Sequence, residues 1–331
     1  MLVKELGEFG LIKRLAAGIV SAGRPVIAGI GDDCAAIHPP EGKVQLVTTD
    51  MLVEDVHFRT STATPFQIGW KSLAVNVSDI AAMGGEPTYA FVSIGLPRDA
   101  KVEFVDELYS GMSKMAEACS VDIVGGDTVS APQVIVNIVL LGEVEAENLV
   151  LRSGARIGDA LVVTGELGGS DAGLAILEHD LPIEGKERHL MPAPRVREGR
   201  LLARSGYVTS MIDISDGLAS EVHHICEMSG TGAEVYMDKI PLADNVQKVA
   251  ENTGRDPYDL ALYGGEDYEL LFTCKPDKVP LLSEEMQKEC VTSLTTVGRI
   301  VDISNSIIIE DESGRSVSLT PRGYNHFTSA I

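Results

Sequence analysis

Residues 29–50 read GIGDDCAAIHPPEGKVQLVTTD, a stretch that sets carboxylates against residues that belong in a core. Asp32 and Asp33 form one acidic cluster, and Thr48-Thr49-Asp50 closes an apolar run with another. A carboxylate at the end of a buried strand is costly unless a cation compensates it. The only Lys or Arg in this stretch is Lys43. The pattern recurs as SDIAAMGG (78–85), VGGDT (124–128) and DISDGLA (213–219). These segments are expected to converge on bound divalent cations, with the remaining chain positioning them.

Composition limits the partners. The 331 residues carry 27 basic and 49 acidic side chains, a net charge of −22, which argues against nucleic acid or an anionic membrane. Most of the carboxylates are read as a solvated acidic surface. A hydrophobic content of 44% is that of a packed globular protein long enough for two cores. Five scattered cysteines without C-x-x-C spacing suggest reduced thiols in a cytoplasmic protein, not a disulfide frame or a zinc site. With no signal peptide and no long apolar run, a soluble protein is expected.

Along the chain, residues 5–20 have helical apolar spacing and residues 44–49 read as a strand ending at Asp50. His57 follows seven residues later, beside Phe58, with structural and functional readings equally open. Residues 65–83 form a long helical pattern, with Ser72, Asn76 and Asp79 on one face and Gly84-Gly85 as the stop. Asp79 falls late in that helix, where the dipole disfavours negative charge. A strand is expected at 88–96, a helix at 101–119, and strands at DIVGGD and 133–144. That order predicts an α/β sheet with helices on one side. Polar residues 145–148 mark a boundary, giving domains of 1–148 and 149–331.

The second half opens with a strand at LVLR, a turn over 154–159 and a further strand. GELGGSDAG resembles a phosphate cradle but lacks the Lys-Ser/Thr ending of a P-loop. Helices are expected near 170–179 and 195–204. VTSMIDISDGLASEVHHICEMSG reads as strand, acidic turn and helix, with Ser215 or Asp216 at the N-cap and His223-His224 structural. GGEDYELLFTC places three acids before an apolar strand, and a helix (280–289) and strands (293–300, 306–310) follow. No elements are assigned over 231–263.

The familiar phosphate-transfer signatures are absent: no P-loop, no kinase HRD or DFG, no GxGxxG after a strand, no GxSxG. What remains is Asp33, Thr48, Thr49, Asp50, Asp79, Asp127, Asp213 and Asp216, hard oxygen donors that suit Mg²⁺. Mg²⁺ held by a few carboxylates completes its shell with substrate phosphates, which makes a nucleoside triphosphate the natural ligand. Bare carboxylates would repel it by ~4 kcal/mol per charge pair at 4 Å and an effective dielectric of 20. Bridging metal reverses that sign. Arg152 is a cationic helper.

GIGDDCA, TTDMLVEDVHF, KSLAVNVSDIAAMGG, VGGDT, DISDGLA and GGEDYELLFT, in this order, resemble the thiamine-monophosphate kinase family of the AIR synthetase-like superfamily. The six motifs run nearly from end to end. The resemblance implies a two-domain α/β (α+β) fold with an N-terminal domain that pairs in a homodimer, and ATP bound across the domain junction through several Mg²⁺ ions. It implies metal ligation by Asp33, Thr48, Thr49, Asp50, Asp79, Asp127, Asp213 and Asp216. ATP contacts would be Tyr109, Gly126, Asp127, Arg152 and Ser215. Contacts to thiamine monophosphate would be His57, Glu266 and a C-terminal aromatic, Tyr324, with Phe327 close by. Asp32 would support its loop. The implied reaction moves the γ-phosphoryl of ATP onto the acceptor's phosphate, the last step of thiamine diphosphate formation. A phosphate with a second pKa of about 6 is already largely dianionic at neutral pH, so no general base is required. The alternatives are another ATP-using superfamily enzyme and a non-enzymatic acidic metal-binding scaffold. The first lacks its terminal Cys in a chain ending FTSAI, and the second leaves His57, Arg152 and Glu266 without a role.

Overall fold

The long helix of the N-terminal half is fixed at both ends by local chemistry. Thr64 and Gln67 form a reciprocal capping box, with Thr64 N donating to Gln67 Oε1 (2.9 Å) and Gln67 N to Thr64 Oγ1 (3.3 Å). Pro65 takes the first helical position, where its missing N–H is harmless. At the other end Gly84 adopts φ 72° and Gly85 N returns to Ile80 O at 2.9 Å. The structure, a computed structural model, describes residues 2–6, 8–19, 23–24, 26–28, 36–37, 41–311 and 313–322. Asp32, Asp33, Cys34, Tyr324 and Phe327, and the expectations placed on them, lie outside these residues.

The chain divides into two units, residues 1–80 with 85–147, and residues 81–84 with 148–331. The first contains α1 (Val3–Leu6), α2 (Glu8–Gly18), β1 (Val26–Ala28), β2 (Ala36–Ile37), β3 (Lys43–Val53), α3 (Pro65–Ala82), β4 (Glu86–Leu96), α4 (Val102–Cys119), β5 (Asp122–Ser130) and β6 (Ile135–Glu145). The single helix expected over 5–20 is therefore two. A four-stranded sheet has the order β3-β6-β4-β5, antiparallel except for the β4–β5 pair. Alternate residues Leu46, Leu52, Val136, Ile138, Leu140, Val92 and Ile94 are buried, as are Leu73, Val77 and Ile80 of α3 and Leu108, Met112 and Met115 of α4. Thr48 and Asp50 share the parity of Leu46 and Leu52 and so share their face.

The second unit contains β7 (Ala160–Thr164), α5 (Gly169–His179), α6 (Glu187–Leu190), α7 (Val196–Ser205), β8 (Val208–Asp213), α8 (Leu218–Ser229), β9 (Gly232–Tyr236), α9 (Val246–Thr253), α10 (Pro257–Tyr263), β10 (Leu270–Cys274), α11 (Val279–Glu289), β11 (Leu294–Val301), β12 (Ile307–Glu310) and β13 (Ser316–Ser318). Its seven strands run β13-β12-β9-β11-β7-β10-β8, and only β12–β9 is parallel. Leu271 of β10 packs with Val222 and Ile225 of α8, whereas Leu270 and Phe272 pack with Leu202 of α7 and Met286 of α11. Helices thus cover both faces of this sheet. No strand forms at LVLR: that segment's Leu151 O accepts from Met211 N at 3.0 Å, but no ladder follows.

Candidate active site

In the first unit the expected residues fall into two groups, separated by the sheet. On the helix-covered face Thr48 Oγ1 donates to Asp79 Oδ2, and Asp50 N donates to Asn76 Oδ1 at 3.1 Å. Asn76 is fully buried and also donates to Ser72 O, while Ser72 Oγ bonds Ile68 O at 2.7 Å. Asn76 therefore clamps the strand, and Ser72's hydroxyl is spent within its own helix. Asp50 and Asp79 face each other: burial first, and then the charge of Asp79, pushes the Asp50 carboxyl up to about 7.

Thr49 has the opposite parity, and its Oγ1 bonds Asn137 Oδ1 at 3.3 Å on the uncovered face. The β4–β5 register sets Asp127 beside Ser93, in a row that continues through Asn137 to Met51 on that same face. Asp127 Oδ1 accepts from Thr128 N at 2.8 Å. Gly126 is required by close approach, since a Cβ there would lie 1.8 Å from Val92 O. Tyr109 lies on α4, where burial raises its phenol pKa. His57 sits in the turn after β3, its Nδ1 accepting from Val53 N at 3.0 Å. A neutral His57 thus carries its proton on Nε2.

In the second unit DISDG and GGEDYE lie side by side. Ile214 N donates to Glu269 O (2.7 Å), Tyr268 N to Ile214 O (2.9 Å) and Glu266 N to Ser215 O (2.7 Å). This pairing continues β8 and β10 past their ends and joins Ser215 to Glu266. Asp213 is buried at the end of β8. Neither Ser215 nor Asp216 is the N-cap: Gly217 holds that position with no side-chain cap bond. The loop is instead tied down by Glu221, 1% exposed, which accepts from Asp216 N (3.1 Å) and Ser215 Oγ (3.3 Å). Burial pushes the Glu221 carboxyl up to about 7, against the pull of the Asp216 amide, while Asp216's charge adds to the rise and Arg152's opposes it. Glu221 went unread in the sequence, although it lies on the same stripe of α8 as buried Leu218, Val222 and Ile225.

Two amides of the Gly-rich stretch 165–173 are taken by one carboxylate. Gly168 N (2.6 Å) and Ser170 N (3.0 Å) donate to the two oxygens of Asp267. The helix N-terminus that would cradle a phosphate is filled by the chain's own carboxylate. Glu269 accepts from Arg195 Nε at 2.7 Å and Thr164 Oγ1 at 2.6 Å. Glu266, by contrast, meets His189, whose Nδ1 lies 3.2 Å from its Oε2.

Two family models match the chain, the AIR synthase related protein N-terminal domain over residues 31–144 and the corresponding C-terminal domain over residues 156–310. Thiamine-monophosphate kinase of Aquifex aeolicus is 36% identical over 99% of this chain and 100% of its own. The chain belongs to the thiamine-monophosphate kinase family. The enzyme of Bacillus subtilis is 35% identical over 97% of this chain and 100% of its own. Among solved structures, AaThiL complexed with AMPPCP and TMP superposes with a TM-score of 0.77 at 35% identity, covering 99% of both chains. Hydrogenase maturation protein HypE, at 18% identity and a TM-score of 0.80, shares the fold alone.

Proposed function

We propose that this chain transfers the γ-phosphoryl group of ATP to the phosphate of thiamine monophosphate, giving thiamine diphosphate and ADP. The observation that carries the reading is the end-to-end likeness to a family member complexed with AMPPCP and TMP. The residues fit it. Asp50, Asp79 and Thr48 offer only oxygen donors, and two facing carboxylates one of which is driven toward neutrality form a pair that a divalent cation would stabilise. Mg²⁺ held by a few carboxylates would keep water and take the rest of its shell from ATP. Mg²⁺ would supply charge neutralisation for the approaching phosphates.

Asp33, Thr48, Thr49, Asp50, Asp79, Asp127, Asp213 and Asp216 are proposed as the ligands of several such ions. Because the sheet separates Asp127 from the Asp50–Asp79 pair, the two are assigned to different ions, and Thr49 can serve the pair only through its main chain. Tyr109, Gly126, Asp127, Arg152 and Ser215 are the proposed ATP contacts, with Glu221 fixing Ser215. His57, Glu266 and Tyr324 are proposed to hold the acceptor. His57, with its proton on Nε2, is a donor suited to gripping an anionic group and not a base. The protein is placed in the cytoplasm, which suits the free Cys119, Cys226, Cys274 and Cys290. Among the described residues no helix is long and apolar enough to cross a membrane. A homodimer through the uncovered sheet face of the first unit completes the reading, supported by Val47, Met51 and Val129 standing exposed there.

The test is ADP formation with thiamine monophosphate, with free thiamine, and with no acceptor. Turnover is expected with the monophosphate only, and His57→Ala should chiefly raise KM for it. Efficient phosphorylation of free thiamine, together with a kcat collapse in His57→Ala that imidazole rescues, would make His57 a general base and overturn the reading.

A further inference from the structure

The loop 264–269 spends its three acids on three different partners, and only Glu266 is held by a side chain that can itself change. Asp267 caps α5 and Glu269 is locked by Arg195 and Thr164. Glu266 precedes both in a left-handed backbone conformation, φ 68°, and Tyr268 follows Asp267 at φ 52°. Non-glycine residues in this region are strained and persist where their surroundings hold them. The main chain of Glu266 is held by Ser215 O. Its carboxylate is met by His189, 7% exposed, whose Nδ1 is 3.2 Å from Glu266 Oε2 and 3.1 Å from Ser170 Oγ. A carboxylate only accepts, so the tautomer or imidazolium with its hydrogen on Nδ1 is the form of His189 that would hold it.

We propose that His189, backed by Ser170, is a positioning residue that fixes the plane of the Glu266 carboxylate and thereby sets affinity for the acceptor and not for ATP. The proposal rests on Glu266 being an acceptor contact. The part of the acceptor it fits is a group bearing amino N–H donors, for which a carboxylate held in one orientation is the complement. His189 is buried, and the nitrogen that meets Glu266 is the one that meets Ser170. Pre-orienting the carboxylate spares the acceptor the entropy of freezing a mobile Glu side chain.

The experiment measures KM for each substrate, kcat and melting temperature in His189→Leu, His189→Asn, Ser170→Ala, Glu266→Gln and the double variant H189L/E266Q. Removing the donor should raise KM for thiamine monophosphate about tenfold, the scale of a charged hydrogen bond, with kcat and KM for ATP within about twofold. His189→Asn keeps an N–H near the Nδ1 position and should recover most of the loss. In the double variant the second change should add nothing to the first. If Glu266→Gln leaves KM for thiamine monophosphate unmoved, the reading of Glu266 as a substrate contact fails and the proposal with it. If Glu266→Gln raises that KM while His189→Leu does not, the positioning role alone is overturned. It is equally overturned if both substrates' KM values rise together with a fall in melting temperature that Asn does not restore. Should His189→Leu fail to fold, Ser170→Ala tests the same nitrogen's support with the same expected selectivity.

Discussion

Asp79 and Asp267 show how differently two carboxylates of this chain are used. Asp79 accepts from Thr48 and faces Asp50, late in α3, where the helix end itself disfavours a negative charge. Asp79→Asn keeps an acceptor for Thr48 and removes the repulsion, so the fold should hold while kcat falls by about a hundredfold or more. Wild-type turnover in this variant would return Asp79 to the role of a tolerated surface acid. Asp267 is held by amides, and burial nevertheless pushes its carboxyl up to about 7 from 3.8, the Gly168 and Ser170 amides and Arg188's charge pulling the other way. The native state then keeps a proton that the unfolded chain releases. Stability from this group is therefore present below about pH 4 and is lost as pH rises through about 7. Urea unfolding at pH 5 and pH 8 should show wild type losing about 1–2 kcal/mol more than Asp267→Asn, a value discounted for the loop's partial exposure. An identical pH slope in the two proteins would show Asp267 ionised throughout. Which acids lie at the ends of apolar runs was legible in the sequence, because a buried carboxylate needs a partner. Which partner each one takes was not: Glu266 and Asp267 are neighbours, and only the turn at φ 68° sends one to His189 and the other to α5.

At the scale of elements, α3 and α4 cross where neither carries a side chain. A Cβ on Gly69 would sit 1.8 Å from Leu108 O, and one on Gly111 would sit 1.9 Å from Phe66 O. Helix propensity alone makes Gly→Ala a gain of about 1 kcal/mol, whereas overfilling a packed contact costs about 1–3 kcal/mol or more. Backbone carbonyls on the neighbouring helix have nowhere to go, so packing wins. Gly69→Ala and Gly111→Ala should each lower the urea midpoint, and an increase in either would show that the helices do not approach this closely. The long helices were readable because periodicity and punctuation agree, as in the Thr64–Gln67 box and the Gly84-Gly85 stop. The same signals marked α10, where Asp256 Oδ1 accepts from Tyr258 N at 2.9 Å and Pro257 takes the first turn, yet seven residues gave too little periodicity to stand out. β9 is five residues long and is recognisable only by its partners, β11 and β12, which come more than fifty residues later. Topology of that kind is carried by tertiary pairing and not by local pattern.

For the molecule as a whole, the proposed homodimer is tested at the face of the first unit's sheet that no helix among the described residues covers. Helices bury one side of β3-β6-β4-β5, and the other side presents Val47 (63% exposed), Met51 (53%) and Val129 (53%), with Val139, Leu141 and Phe91 half-buried in the same registered rows. Exposed apolar residues gathered on one sheet face mark an interaction site. The occupant proposed for it is a second copy of the same face, since its apolar rows around Val47, Leu141 and Met51 would be self-complementary across a two-fold axis. The expected mass in solution at micromolar concentration is therefore twice the 35.3 kDa of one chain. Added salt should leave the dimer intact or tighten it, since screening weakens the repulsion between two chains of net charge −22. Val47→Glu with Met51→Glu places four carboxylates in the contact across the two copies, each desolvated without a partner, and should yield the single-chain mass with the fold retained. The measurement is light scattering after gel filtration, at low and high salt. A wild-type monomer at tens of micromolar, or a dimer that survives both glutamates, would move the interface elsewhere and leave this apolar face to another partner.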